Sequence, residues 1–259
     1  MLDAIYIAAT GMQAEQTQID AISNNLANIN TTGYKKSKVS FEDLVYQQVN
    51  NVQFPIDSAQ QMMLSGLGTS VSGISKDFSA GDLKATQNQL DLAIQGAGFF
   101  EVDLPNGEKA YTRSGALKID SDGMLSTIDG RVLSAGVRIP SDASQILIRP
   151  DGTVAAQVSD REELMELGQL DLANFATPES LEPLGNGLYA STEASGLPLY
   201  SEPGSNGLGE LAQGYLESSN VDLVEEMLNL VIAQRAYEVN SQIIRASDEI
   251  LKINNNLRS

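Results

Sequence analysis

Residues 236–257 read AYEVNSQIIRASDEILKINNNL, and the period of this stretch decides the fold. Ala236, Val239, Ile243, Ala246, Ile250, Ile253 and Leu257 follow one another at alternating steps of three and four, the spacing of a coiled-coil seam. Upstream, Val221, Val224, Leu228 and Ile232 carry the stripe back, with one slip of phase before Ala236. Asp222-Leu223-Val224-Glu225 has capping-box spacing, and Glu226 adds negative charge where a helix dipole favours it. One helix is therefore expected over about 222–257, roughly 50 Å long at ~1.5 Å per residue. Water cannot satisfy its stripe.

The N-terminus carries a matching signal. Leu2, Ile5, Ala9, Met12, Ile19, Ile22, Leu26 and Ile29 recur at helical spacing, with one polar gap around Gln16 and a break at Thr31-Thr32-Gly33. Two narrow stripes at the chain ends can pair with each other inside one molecule. They can also pair with neighbouring copies, because so narrow a seam leaves each helix little other burial. The residues expected to pack subunits together are Ile5, Met12, Ile19, Ile22 and Leu26 at one end and Ala236, Val239, Ile243, Ala246, Ile250, Ile253 and Leu257 at the other.

Between about 70 and 215 the helical period vanishes. Strand-like runs at Leu90 to Ile94, Phe99 to Leu104, Val132 to Ile139, Gln145 to Ile148 and Gln169 to Leu172 alternate with turn signals. The signals include Pro105-Asn106-Gly107, Asp122-Gly123, Asp129-Gly130, Pro150-Asp151-Gly152 and Asn186-Gly187. Such punctuation predicts an antiparallel β domain. Residues 196–209, with Pro198, Pro203 and four glycines, read as a loop returning the chain to the C-terminal helix. The expected fold is α+β. A terminal helical coiled coil (1–30 with 222–259) leads through an extended connecting region (31–70 with 200–221) to an inserted β domain (71–199).

The 259 residues contain no cysteine and no histidine, which removes disulfides, most metal-ligand sets and the Ser-His and Cys-His nucleophile pairs. Carboxylate, Lys, Tyr or Ser-Lys chemistry remains open, so catalysis is disfavoured on composition. With 34 acidic against 16 basic residues the net charge is −18, which repels nucleic acid and anionic lipid at long range. The start, Met1-Leu2-Asp3-Ala4-Ile5, lacks the basic n-region of a signal peptide, and no run approaches a membrane span.

Individual motifs read as structure. Gly96-Ala97-Gly98-Phe99-Phe100 is a GxG without its third glycine and leads into a strand, where a dinucleotide fingerprint opens a helix. Asp120-Ser121-Asp122-Gly123 starts like a calcium loop, but Arg131 stands where the bidentate Glu is required, so a hairpin turn is expected. The paired carboxylates Glu162/Glu163 and Glu225/Glu226 read as solvated faces. Lys35-Lys36-Ser37-Lys38, the one dense basic cluster, reads as a solvated loop, or else as a patch complementary to an acidic neighbour. No cofactor or metal site is expected.

Several of these stretches together carry a resemblance. Ala21-Ile22-Ser23-Asn24-Asn25-Leu26-Ala27-Asn28, running on through Gly33-Tyr34-Lys35, resembles the N-terminal signature of the bacterial flagellar rod and hook proteins. In the same order, Asp91 to Phe100 resembles that family's D-x-A-I-x-G-x-G-F-F, and Tyr111-Thr112-Arg113-Ser114-Gly115 its Y-T-R-x-G. Gly214 to Val221 and Gln234-Arg235-Ala236-Tyr237-Glu238 resemble the lead into its C-terminal helix and the helix itself, so the likeness spans essentially the whole chain. The segment from Phe41 to about Gly68 is similar to the insertion of the family's distal-rod members, here with Phe54, Pro55, Met62, Met63 and Leu64 as its rod-specific residues.

The resemblance implies a structural subunit, exported without a cleaved signal peptide by the flagellar type III apparatus and polymerising helically into a stiff drive shaft in the periplasmic space. Implied partners are further copies of itself, proximal rod and hook proteins, and the ring proteins of the peptidoglycan layer and outer membrane. No nucleic-acid contact and no membrane insertion are implied. A proximal rod protein of the same family and, remotely, a carbohydrate-active β-domain protein are the alternatives.

Overall fold

A computed structural model describes residues 2–44, 47–48, 64–158 and 164–256. Phe54, Pro55, Met62, Met63 and Leu257 lie outside the described residues. The fold is α+β, with one long helix near each chain end and antiparallel strands between them, and it divides into two compact units.

The first unit comprises residues 1–26, 37–75 and 222–259. Helix α1 spans Leu2–Ala27 and helix α2 spans Leu223–Asn256. Asp222 caps α2 as its sequence position requires, its Oδ1 accepting from the backbone N–H groups of Val224 (2.8 Å) and Glu225 (3.1 Å). Two contacts among the described residues join the helices. The Asn25 amide donates to Glu226 Oε2 at 3.4 Å, and a Cβ added to Gly11 would lie 2.9 Å from Asn240 Nδ2. Asn25 and Gly11 are fourteen residues apart, as are Glu226 and Asn240, so the contacts run in opposite chain directions. Asn25 also holds Ser37 at both backbone groups, accepting from its N–H (2.8 Å) and donating to its carbonyl (3.0 Å). Strand Ser37–Asp43 pairs with Thr69–Lys76, and Gln47–Gln48 with Leu64–Ser65.

The second unit, residues 27–36 and 76–221, is the β domain. A four-stranded antiparallel sheet runs in the order Glu182–Gly185, Leu188–Ala190, Lys109–Thr112, Phe100–Asp103. Ala143–Ile148, Thr153–Val158 and Leu164–Gln169 form a three-stranded meander. Its core gathers Leu92, Ile94, Phe100, Val102, Leu125, Val154, Leu170 and Leu172, all essentially inaccessible. Each such side chain contributes about 1.5–3 kcal/mol by leaving water. A second cluster is aromatic: Phe99, Tyr111, Phe175 and Tyr189, with Phe78 packed edge-on against Phe99 and Tyr189.

Turn chemistry accounts for several connections. Asn186 and Gly187 both take positive φ (53° and 70°), the geometry that lets a two-residue hairpin match strand twist. Asp120-Ser121-Asp122-Gly123 joins the paired strands Leu117–Ile119 and Leu125–Thr127 as a hairpin turn. Three expected elements differ. Val132 to Ile139 forms isolated bridges from Val132, Leu133 and Arg138 rather than a strand, because Gly136 turns the chain at φ 63°. Gln169 to Leu172 is a break between two strands, not one strand. The loop expected at 196–209 contains strand Leu199–Ser201, held by Leu172–Asn174; its partner lies far back in the chain, where local turn signals give no hint of it. Further on, Glu210–Gln213 pairs with Leu92–Gln95 and Tyr215–Glu217 with Leu83–Ala85, which brings most of 200–221 into the β domain.

Gly115 marks the tightest passage. A Cβ there would sit 1.6 Å from the Leu92 carbonyl oxygen, in the core strand whose N–H donates to Gly115 O at 2.9 Å. Gly115→Ala is expected to cost about 3 kcal/mol or more by forcing backbone apart. Gly73→Ala, where nothing lies within 4 Å, serves as the control. Thermal melts of the two variants check this; equal midpoints would refute the close approach.

Candidate functional site

Two features stand out from the fold, a buried cluster of charges in the β domain and an open apolar face on α2.

The charge cluster begins at Gly33, which takes φ 68° and donates its N–H to the Glu217 carbonyl at 2.8 Å. Two residues on, Lys35 enters the interior, its side chain wholly inaccessible. Its Nζ donates to Glu217 Oε1 and to the Ser79 carbonyl, each at 2.6 Å. Glu217 Oε1 also accepts from Gly81 N–H at 2.9 Å. Arg113 completes the node. Its Nη2 donates to the Gly96 carbonyl (2.7 Å), its Nη1 lies 3.8 Å from Glu217 Oε2, and its guanidinium stands 5.4 Å from the centre of the Phe99 ring. Two cations thus share one buried carboxylate. Burial pushes the Lys35 ammonium below its ordinary pKa while Glu217 pulls it back up, and burial likewise lowers Arg113.

Around the node, three backbone segments are laced together. Asn220 accepts from Lys36 N–H (2.8 Å) and donates to the Asp77 carbonyl (2.8 Å), while Asp77 N–H donates to the Lys36 carbonyl (2.9 Å). The Lys76 ammonium caps the Lys35 carbonyl (3.1 Å) and lies 4.5 Å from the centre of the Tyr34 ring. Lys35 therefore corrects the expectation of a solvated basic loop. Its partner sits 182 residues away, beyond reach of any local reading, although Lys35, Arg113 and Glu217 each fall inside a quoted motif.

The open face is the other feature. Along α2 the residues turned inward are Glu226 and Ala233, with Tyr237, Asn240, Ile244, Ser247 and Leu251 half-buried behind them. The expected seam lies on a different face: Val239, Ile243, Ile250 and Ile253 are 41–59% exposed. Ala246 is also exposed and Ala236 half-buried. Val224, Leu228 and Ile232 extend the open stripe toward the start of the helix. On α1, Ile22, Ala8, Ala14 and Ala21 are buried, and Ile5, Met12, Ile19 and Leu26 are half-buried.

Known proteins show the same three parts. Residues 5–35 match the flagella basal body rod protein family, 93–156 the flagellar hook protein FlgE/F/G D1 domain, and 212–257 the flagellar basal body rod FlgEFG protein C-terminal family. The chain is 42% identical over 254 residues to the flagellar basal-body rod protein FlgG of Agrobacterium fabrum, covering 96% of this chain and 97% of that one. It is 41% identical to the FlgG of Borreliella burgdorferi, across 100% and 99% of the two chains. The chain belongs to the flagellar basal-body rod protein family. The flagellar hook-basal body complex protein FlhP of Bacillus subtilis is also similar, at 31% identity over the full length of both. In this rod protein each of the three matched segments supplies one charge of the node: Lys35, Arg113 and Glu217.

The node's energetics follow from burial. Glu217→Gln leaves two buried cations without a counter-charge, and Lys35→Met strands the Glu217 carboxylate beside Arg113 alone. Loss of one partner of a buried pair costs about 3–5 kcal/mol, whereas replacing both with apolar groups is often neutral. Chemical denaturation is expected to give Glu217→Gln such a loss and Lys35→Met a smaller one, because Arg113 still faces the carboxylate; Lys35→Met/Glu217→Met, which leaves Arg113 buried without it, is expected to lose less than the sum of the two. Additive losses in the double variant would mean the two side chains act independently.

Proposed function

We propose that this chain is a structural subunit of the flagellar distal rod, polymerising helically into a stiff shaft that carries torque from motor to hook, and that it is not an enzyme. Membership of the rod family supports the machine. The observation that carries the assembly mechanism is the open stripe on α2. In this reading α1 and α2 pair as an antiparallel coiled coil through their inward faces, and Val239, Ile243, Ile250 and Ile253 meet helices of neighbouring copies. These side chains stand about half exposed, so covering the remainder is worth a few kcal/mol per subunit. A contact between unlike faces of identical subunits does not close on itself and builds a filament.

The remaining partners follow from the same placement. Proximal rod and hook proteins continue the shaft at either end, and rings in the peptidoglycan layer and outer membrane surround it in the periplasmic space. Export runs through the flagellar type III apparatus. No helix among the described residues is long and apolar enough to cross a membrane, in keeping with a subunit held by its neighbours. The insertion at about 44–68, with Phe54, Pro55, Met62, Met63 and Leu64, is assigned the role of an arm on adjacent subunits that sets the stiffness of the shaft.

Ile250→Asp tests the mechanism. Ile250 is 49% exposed, so the charge is tolerated in the isolated subunit, with stability expected within about 1 kcal/mol of the parent. In an assembled seam the same carboxylate is buried without a partner, and polymerisation and motility are expected to be lost. Glu249→Ala, one residue along and off the stripe, is expected to assemble normally. Electron microscopy and swimming assays read the outcome; equal assembly by both variants would remove α2's open face from the interface.

A further inference from the structure

In the β domain a cavity of about 220 Å³ opens beside the four-stranded sheet, lined in part by Glu101, Lys109, Ser134, Asp171 and Tyr200. Glu101 is only 8% exposed. One of its oxygens, Oε1, is bonded to the Lys109 ammonium, which reaches in from a half-exposed position. The other, Oε2, is buried and makes no hydrogen bond of ordinary length among the described residues, although the Tyr200 and Ser134 hydroxyls lie near the carboxylate. A buried acceptor left unmatched is costly, more so when charged, and native structures pair such groups with water or a ligand.

The lining is also electrostatically incomplete. Glu101 and Asp171 face a single cation, Lys109, and Asp103 stands just behind, accepting from Ser134 Oγ at 2.6 Å. Burial raises the Glu101 carboxyl, and Lys109 with the nearby Tyr200 and Ser134 hydroxyls more than offsets it, so the group stays charged at neutral pH. Tyr200, whose hydroxyl lies 3.3 Å from that of Tyr111, brings an aromatic ring to the same wall. The volume falls below the ~300–1,000 Å³ of pockets for drug-sized ligands, and suits a single side chain or small amine. No cluster of three or more metal-ligating side chains occurs among the described residues, which favours an N–H donor over a metal ion.

We propose that this cavity is a binding site for an organic cation of side-chain size, a guanidinium or primary ammonium group that donates to Glu101 Oε2. The group comes either from a basic side chain of a neighbouring copy or from a free amine. The site itself stands without the rod assignment; only the first of these sources rests on it.

N-methylguanidinium, titrated into the full-length unassembled chain, tests the site by NMR. Saturable shifts are expected at Lys109 and Tyr200, with at least ten-fold weaker binding in Glu101→Gln. Asp171→Asn, at an exposed position whose fold is not at stake, is expected to weaken it several-fold. N-methylurea, the neutral analogue, is expected not to bind. No saturable shift, an equal response to N-methylurea, or full affinity in both variants would overturn the proposal and leave water as the partner of Oε2. The source is read from assembly. A probe that competes with polymerisation points to a neighbour's side chain, and one that still binds the polymer points to a free amine. A chain that binds the probe yet never assembles speaks against the rod reading alone.

Discussion

The buried pair of Lys35 with Glu217 is the constraint on which the rest of the β domain's organisation depends. A lysine is placed in an apolar interior only where a counter-charge and further acceptors await it, and here Glu217 and the Ser79 carbonyl meet Lys35 while Arg113 approaches the same carboxylate from its other oxygen. Such a pair contributes little net stability over an apolar substitute. What it supplies is registration. It fixes the segment that leaves the N-terminal helix against the segment that enters the C-terminal one, and Asn220 repeats the tie a few residues further along. Three sequence segments far apart in the chain are thereby held as one piece of backbone.

The helices follow a different rule. Small and polar groups meet where Gly11 faces Asn240 and Asn25 faces Glu226, which permits close approach and fixes register by hydrogen bonding. Most of α2's larger apolar side chains are left outward. A monomeric protein gains nothing from a continuous exposed apolar stripe and risks aggregation through it. A polymer subunit gains its intersubunit contact, and the net charge of −18 helps keep the unassembled chain in solution.

Periodicity made the helices, their lengths and the cap at Asp222 legible in the sequence, because each depends on neighbours within a few residues. Turn residues likewise marked the hairpins. The strand at Leu199–Ser201 and the broken run at 132–139 were not legible, since both are decided by partners distant in the chain. The same limit hid Lys35, which reads as a surface charge until Glu217 is placed beside it. The stripe through Val239, Ile243, Ile250 and Ile253 could be read from its spacing, but the face that packs inside the subunit could not, because Ala233, Asn240 and Ser247 carry no apolar signal. Glu101 was missed altogether: a carboxylate in a strand gives no local sign that one oxygen will lack a partner.

The central claim is that α2 uses one face within the subunit and keeps another for its neighbours. The most direct measurement is the accessibility of isoleucine δ-methyl groups to a soluble paramagnetic probe, before and after assembly, with the buried Ile94 and Ile148 as internal references. The account predicts strong relaxation of Ile243, Ile250 and Ile253 in the free subunit and protection matching the references in the polymer. Methyls already protected in the free subunit, or still exposed after assembly, would contradict it.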